Sequence, residues 1–313
     1  MKKVSLVFPC FNEEKNVSKM FELCKKTLSP NFSYQYIFIN DGSKDNTFLE
    51  IRKLVLENKD DEIIGINFSR NFGKESGILA GLEHANGDYT VVIDSDLQQD
   101  PKYVNQMVQI LNEDDDIDMV SAYQEKRKES KILTFFKNTF YNIINKISDI
   151  KFEKNASDFR TFNSKVRDAI LDIREYNRFS KGIFSWVGFN TKYIPYEVNE
   201  RYSGKTSWSF RSLFKYAMEG FLSYSTLPLK ISSYIGTITS LAAFIYMIVV
   251  FIQKVFFEIN VPGYATTIIL ILLFSGLNFL SLGIIGQYLS KTYMEVKNRP
   301  HYLIKNVISN KED

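Results

Sequence analysis

Cysteine and histidine are nearly missing from this chain of 313 residues, which has only Cys10 and Cys24, His84 and His301. Two thiols cannot build a disulfide framework, so a reducing compartment fits, and with so few such residues no Cys/His metal cluster is expected. An excess of positive charge is also missing. Against 39 Lys and Arg stand 36 Asp and Glu, a net charge of +3, which argues against a nucleic-acid binder driven by bulk charge. No G-x-G-x-x-G follows the first apolar run, and G-x-x-x-x-G-K-[ST] occurs nowhere. The readings as a dinucleotide oxidoreductase or a P-loop NTPase lose their main support. There is no internal repeat. The N-terminus lacks a long apolar stretch, because Met1-Lys2-Lys3 leads into a strand-like run of only about five residues, so no signal peptide is expected. With 45% hydrophobic and 24% charged residues the chain is an ordinary folded protein rather than a disordered one. Its 26 Phe and 18 Tyr hint at contact with something partly apolar.

Charge is absent from one region in particular. Residues 231–289 carry only Lys254 and Glu258, and Ile231–Ile252 and Thr266–Leu289 are two uncharged runs. Each exceeds the roughly 20 residues that a helix needs to cross a hydrocarbon core. They read as a transmembrane hairpin with Val261-Pro262-Gly263 in its turn. Lys230 precedes the first span, and Lys291, Lys297, Arg299 and Lys305 follow the second. That bias is expected to place both ends in the cytoplasm, making this a two-span cell-membrane protein. The expected organisation is a catalytic domain over 1–206, a juxtamembrane amphipathic helix and linker over 207–230, the two spans over 231–289, and a cytoplasmic tail over 290–313.

The soluble part alternates strand and helix. Apolar runs at Val4–Phe8, Tyr34–Asn40, Ile63–Phe68 and Tyr89–Ile93 predict strands. Helical spacing predicts helices over Glu13–Thr27, Thr47–Glu57, Gly73–Ala85 and from Pro101 to about Asn112. Repeated βα units imply a mostly parallel α/β sheet with helices on both faces. Ligands bind such sheets at the carboxyl ends of the strands, which directs attention to Asn12, Glu13, Asp41, Asp94 and Asp96.

Asp94-Ser95-Asp96-Leu97-Gln98 follows the fourth strand. In extended backbone, Asp94, Asp96 and Gln98 would point the same way, an all-oxygen set suited to Mg²⁺ or Mn²⁺. Such an ion can bridge a diphosphate and neutralise a phosphate leaving group. Asp41 is placed to accept a hydrogen bond from a nucleobase or ribose, with Asp45 or Asn46 capping the next helix. Glu113–Asp118 reads as a solvated acidic loop. Ser207–Leu222 reads either as an amphipathic helix at the membrane surface or as a helix packed on the sheet. Lys126–Lys131, with the aromatic run behind it, reads either as a cover for an acceptor or as a solvated loop.

Pro9-Cys10-Phe11-Asn12-Glu13-Glu14, Asn40-Asp41-Gly42-Ser43-Lys44-Asp45-Asn46-Thr47 and Asp94–Gln98 resemble the family 2 glycosyltransferases of GT-A fold. Ser69-Arg70-Asn71-Phe72-Gly73-Lys74-Glu75, Ser157-Asp158-Phe159-Arg160, Arg178-Phe179-Ser180-Lys181-Gly182 and Arg201–Trp208 narrow the resemblance. Together with the two spans they are similar to polyprenyl-phosphate glycosyltransferases, the bactoprenol glucosyltransferase and dolichyl-phosphate mannose synthase group.

The resemblance implies that Pro9, Phe11, Glu13, Asp41, Asp94 and Ser95 hold a nucleotide sugar, with UDP-glucose the family-level expectation. It implies that Asp94, Asp96 and Gln98 hold Mg²⁺ or Mn²⁺, and that Asp158 and Asp96 serve catalysis. Arg160, Arg201 and Lys205 would meet the acceptor or diphosphate. Lys126, Arg127 or Lys131 would stand in for the arginine that similar sequences often carry near Gln124, and Lys205 for the lysine they often carry at Ser207. The acceptor would be polyprenyl (undecaprenyl) phosphate in membrane lipid. Its oxygen would attack the anomeric carbon with inversion, Asp158 orienting substrate more than removing a proton. Similar proteins form tetramers. A polysaccharide synthase of the same superfamily is the alternative, although its Q-x-x-R-W motif is absent; a non-catalytic nucleotide-binding membrane protein is another.

Overall fold

A computed structural model describes residues 1–124, 145, 156–199, 225–256 and 263–311. Residues 1–124, 156–199 and 299–311 belong to one compact unit, and 225–256 and 263–298 to another.

The first unit is built on one eight-stranded sheet. In chain order it contains β1 (Lys3–Cys10), α1 (Val17–Thr27), β2 (Ser33–Asn40), α2 (Thr47–Glu57), β3 (Glu62–Phe68), α3 (Lys74–His84), β4 (Tyr89–Val92), α4 (Lys102–Glu113) and β5 (Met119–Gln124). Then come β6 (Ala156–Asn163), α5 (Ser164–Asp172), α6 (Ser180–Trp186) and β7 (Thr191–Tyr196). The second unit holds α7 (Leu227–Phe256) and α8 (Tyr264–Val296), after which β8 (Ile304–Ser309) belongs again to the first. The strand order is β7-β5-β6-β4-β1-β2-β3-β8. β1 pairs in parallel with β2 and β4, β2 with β3, and β5 with β7, while β6 and β8 run antiparallel to their neighbours. This is the expected α/β sheet, with two antiparallel insertions that alternating apolar runs did not disclose.

Both faces are buried, so the central strands are nearly continuous apolar runs. On one face Leu6, Phe8, Phe38 and Val91 pack against Val17, Met20 and Phe21 of α1, Ile51 of α2 and Val104 and Met107 of α4. On the other, Val7, Ile39, Ile66 and Phe162 pack against Ile78 and Leu82 of α3, Val166 and Ile170 of α5 and Phe184 of α6. Helix α3 lies close to the sheet: a Cβ on Gly81 would come within 2.1 Å of Val7 Cγ1.

Two expectations are corrected here. Helix α1 begins at Val17, not Glu13, because Glu13 forms a turn in which its carbonyl accepts from the amides of Asn16 and Val17. The expected tail over 290–313 is largely ordered structure. Helix α8 continues to Val296, and β8 closes the β3 edge of the sheet. The ring of Tyr302 stacks on Phe68 at 4.8 Å, and its hydroxyl donates to Glu83. Ser69 N donates to the Leu303 carbonyl at 2.9 Å, and Asn310 Nδ2 donates to the carbonyls of Asn58 and Asp61, each at 2.7 Å. The acidic loop is exposed as expected through Asp116, whereas Asp118 braces the sheet by accepting from Asn163 Nδ2 at 3.0 Å and Asn190 N at 3.2 Å.

Helices α7 and α8 have 30 and 33 residues. At 1.5 Å per residue they reach about 45 and 50 Å, more than the ~30 Å of a hydrocarbon core. Their large side chains are open to the surroundings, with Phe251 63% and Phe279 73% exposed, and both helices are long and apolar enough to span a membrane. The Tyr288 hydroxyl donates to the Ser225 carbonyl at 2.7 Å, which ties the end of α8 to the start of α7 and makes the pair antiparallel.

Candidate active site

The loops at the carboxyl ends of β1, β2, β3 and β4 converge. The first two are laced together. Asn12 N donates to Ser43 Oγ at 2.9 Å, and Lys44 N donates back to Asn12 Oδ1 at 2.9 Å. Glu13 N donates to Thr47 Oγ1 at 2.8 Å, and Glu14 and Asp45–Asn46 exchange side-chain-to-amide bonds of 3.1–3.2 Å. Asn12 has φ 58°, a conformation asparagine tolerates better than most residues. Asp45, not Asn46, caps the turn into α2, accepting from Thr47 N at 3.1 Å and Thr47 Oγ1 at 2.5 Å. Phe11 stands 44% exposed beside this frame, and the Glu13 carboxylate accepts from Asn16 Nδ2.

Asp41 is 3% exposed. Its two oxygens accept the backbone amides of Phe72 at 2.6 Å and Gly73 at 2.9 Å, so it holds the β3–α3 loop in place. Burial raises its pKa, against the lowering effect of those two amides and Arg70. A carboxylate has roughly four lone-pair sites, so this role leaves room for the nucleoside contact expected of it. Gly42 is fixed by geometry. Its φ is +61°, and a Cβ there would meet the carbonyl carbon of Arg70 at 2.3 Å.

After β4 the backbone is not extended, so the argument from spacing by two fails. Ser95 and Asp96 form a turn, Leu97 has φ 64°, and Asp96 Oδ1 accepts from Gln98 N at 3.1 Å. The carboxylates are therefore presented by a turn. Asp94 is clamped by Gln99, whose Oε1 accepts from Asp94 N at 2.9 Å while its Nε2 donates to Asp94 Oδ2 at 3.0 Å. Ser95 is 2% exposed, with its hydroxyl turned inward to the Pro9 carbonyl at 3.3 Å, so it ties the β4 loop to β1. The Gln98 carbonyl accepts from Asn199 N at 3.1 Å.

Asp158 comes from β6. Val92 pairs with Arg160 in the antiparallel register, so Asp158, two residues before Arg160, lies toward the same end of the sheet as Asp94, two residues after Val92. Lys74, the first residue of α3, lies between them. Its Nζ is 2.6 Å from Asp94 Oδ1 and 2.9 Å from Asp158 Oδ2. Burial works to raise the Asp158 pKa, but Lys74, Lys181 and Arg160 outweigh it and hold the carboxyl well below the usual range. Burial works to lower Lys74, and the two aspartates outweigh it, so the ammonium stays charged well above its ordinary pKa. The next residue, Glu75, is pushed up to about 7, first by burial and then by the Asp158 charge. It accepts from Ser180 N at 3.0 Å and also from the Ser180 hydroxyl.

Arg160 corrects an expectation. It is 4% exposed, its guanidinium lies 3.9 Å from the Phe184 ring centroid, and it donates to the Ser157 carbonyl at 2.8 Å. It supports the strand and charge of Asp158 from inside the domain and does not present itself to a phosphate. Gln124 donates to the Tyr196 hydroxyl at 3.1 Å. Lys126, Arg127, Lys131, Arg201, Lys205 and the 207–222 helix lie outside the described residues. Sequence reasoning assigned no role to Lys74, Glu75, Gln99 or Lys181. A lysine opening a helix straight after the third strand was the signal available.

Among the described residues no three His, Cys, Asp or Glu side chains gather as a ready-made metal cage. That donor set still suits a hard cation, since Mg²⁺ and ions like it are bound through one or two carboxylates plus substrate phosphates. Asp94 and Asp96 supply such oxygens.

A sheet of this order, with an Asp-x-Asp turn after the strand beside β1 and a third aspartate on an antiparallel neighbour, is the GT-A arrangement of a glycosyltransferase. Residues 5–172 match the family model described as glycosyl transferase family 2, and the chain belongs to that family. Its relatives match over nearly their whole length. CsbB of Bacillus subtilis (strain 168), named as a glycosyltransferase, is 39% identical over 311 residues, 99% of this chain and 93% of the relative. A prophage bactoprenol glucosyl transferase homolog of Escherichia coli (strain K12) is 36% identical, covering 97% of this chain and 99% of its own. The bactoprenol glucosyl transferase of Shigella phage SfII is 36% identical, covering 97% of each.

Proposed function

We propose that this protein transfers a sugar, glucose from UDP-glucose, to the phosphate of a polyprenyl (undecaprenyl) phosphate at the cytoplasmic face of the membrane, giving a lipid-linked sugar for cell-surface glycans. The observation that carries the reading is the Asp94–Lys74–Asp158 bridge at the carboxyl end of β4 and the amino end of the antiparallel β6, in a chain that also has two helices long enough to span a bilayer. The bactoprenol glucosyl transferases supply the acceptor class by similarity.

Two anions must meet in this reaction, so the site needs cations. The donor lies over Phe11 and along the laced β1–β2 loops, with Asp41 and Glu13 at the nucleoside. Asp94 and Asp96, with Gln98, hold a divalent cation. That ion, Mg²⁺ or Mn²⁺, supplies neutralisation of the leaving diphosphate. The acceptor phosphate has a second pKa near 6, so at neutral pH it is already an oxyanion and needs little help from a base. Asp158 fits that requirement. Held ionised by Lys74, Lys181 and Arg160, it is too weak a base to accept a proton near pH 7 and acts by orienting charge. Attack from the face opposite the departing diphosphate inverts the anomeric centre.

Topology supports the same picture. The chain leaves the sheet, runs through two apolar helices and returns to the same sheet as β8. A segment that begins and ends in one folded unit crosses a bilayer an even number of times. The basic flanks Lys230, Lys291, Lys297 and Arg299 support a cytoplasmic position for that unit. We assign Arg201 and Lys205, which follow Asn199 closely in the sequence, to the acceptor phosphate, with Lys131 a further contact. A homotetramer is the assembly that similarity suggests.

The test is incubation of the purified full chain with labelled UDP-glucose and undecaprenyl phosphate, with and without EDTA. A chloroform-soluble labelled monophosphate lipid that disappears with EDTA is the expected result. A long water-soluble polymer would identify a polysaccharide synthase instead, and binding of UDP-glucose without transfer would leave a nucleotide-binding protein.

A further inference from the structure

We infer that Lys74 is an exchangeable counter-ion. It holds Asp94 and Asp158 together while the donor site is free, yields Asp94 to the divalent cation that comes with the nucleoside diphosphate, and then offers the released N–H to the acceptor's phosphate oxyanion while still anchored on Asp158. The inference deepens the function proposed above and rests on it.

The geometry makes the exchange necessary. Lys74 Nζ sits 2.6 Å from Asp94 Oδ1, and an ammonium and a metal ion cannot share that approach to one carboxylate oxygen. Like charges at such range repel by several kcal/mol even at an effective dielectric of about 20. The carboxylate does not have to move when its partner changes, because Gln99 grips Asp94 through the other oxygen and the backbone amide. The lysine does not have to move far either. Its backbone is pinned from both sides: Asp41 holds the amides of Phe72 and Gly73, and Ser76 Oγ donates to the Phe72 carbonyl at 3.2 Å and the His301 carbonyl at 3.1 Å. Only the side chain has freedom.

The surroundings suit a phosphate. An ammonium has three N–H donors; two are engaged, one on each aspartate, and loss of Asp94 frees one of them. The Lys74 side chain is 40% exposed, so a change of partner happens at the edge of solvent. The charge of Lys181 also acts on Asp158, so the carboxylate has cations on more than one side. An anion arriving at Asp158 therefore meets a locally positive rim once a metal has taken Asp94. This orders the reaction: donor first, acceptor second.

Lys74→Met keeps the aliphatic stem and removes the charge, and Lys74→Gln is the alternative if that variant folds poorly. Mn²⁺ alone is titrated into the full-length protein in detergent, with free Mn²⁺ read by electron paramagnetic resonance. Because the competing cation is gone, Mn²⁺ should bind about tenfold or more tightly without any nucleotide sugar, as loss of a close like charge allows. Transfer should fall by about 100-fold or more, with KM for the polyprenyl phosphate rising more than KM for the nucleotide sugar. Lys74→Arg should restore part of both. Unchanged Mn²⁺ affinity in Lys74→Met, or transfer within twofold of wild type, would overturn the inference. Wild-type protein that transfers nothing to polyprenyl phosphate would instead sink the proposed function, while the Mn²⁺ titration would still judge the counter-ion.

Discussion

The two sides of the site are braced by different forces. On the β1–β2 side, backbone amides and short polar side chains of Asn12, Glu13, Glu14, Ser43, Asp45 and Thr47 bond one another across the two loops. On the β4–β6 side, a single half-exposed ammonium joins two carboxylates. Amide-to-side-chain bonds have fixed directions and are insensitive to salt, whereas an ion pair is easily rearranged by another charge. In the function proposed above, the first side would serve as a preformed bed for a nucleoside, and the second as the place where charges exchange as diphosphate, metal and acceptor arrive. Asp41 links the two, since it follows β2 and holds the loop that delivers Lys74.

The comparison predicts where damage falls. Breaking the preformed side should cost stability first. Gly42→Ala must force a Cβ to within 2.3 Å of Arg70 backbone, at a φ of +61°. Strain and overpacking of this kind cost about 2–5 kcal/mol together, so a melting temperature lower by several degrees is expected, with donor binding lost alongside. A variant that melts like wild type would show the laced loops to be softer than they look. Breaking the charged side should do the reverse. Asp158→Asn removes one of the two partners of Lys74, in a partly buried pair whose side chains are 40% and 23% exposed. Melting should fall less than in Gly42→Ala, while transfer at saturating acceptor should fall by about 100-fold or more. Near-full turnover would remove Asp158 from the mechanism.

How much of this was legible beforehand follows the same division. The β1–β4 alternation could be read because strands buried on both faces are apolar throughout and end at polar residues; Thr47–Glu57 was placed to the residue. Asp94 and Asp96 could be found because carboxylates directly after such a strand have nowhere to be but its carboxyl end. Their orientation could not, because nothing about Leu97 announces its φ of 64°. Lys74 and Asp158 stand 84 residues apart and meet only through an antiparallel register across β4 and β6. The family resemblance implies a phosphate contact for Arg160, and only the fold shows its guanidinium against the Phe184 ring. Strand β8 was hidden because its side chains are largely exposed, although Ile308 packs on the core, so Ile304–Ser309 has the pattern of a tail.

Glu75 offers the finest test, because it borders the charged side while being held by directed bonds from Ser180. Its pKa rises from 4.5 to about 7, first through burial and second through the charge of Asp158. Raised in the folded state, it binds its proton more tightly there than in the unfolded chain. Its contribution therefore favours the fold at acidic pH and is lost progressively as pH climbs from about 4.5 through 7. The whole effect is on the order of 1–3 kcal/mol. Asp158 acts in the opposite sense but only at much lower pH, where its own proton is bound, so the two do not overlap. Glu75→Gln keeps an acceptor for Ser180 and cannot ionise. Thermal unfolding of the full chain between pH 5 and 8 should show a decline in stability for wild type that is flatter in Glu75→Gln. Parallel curves for the two proteins would mean that Glu75 is ordinary in its acidity and that the charge of Asp158 does not reach it.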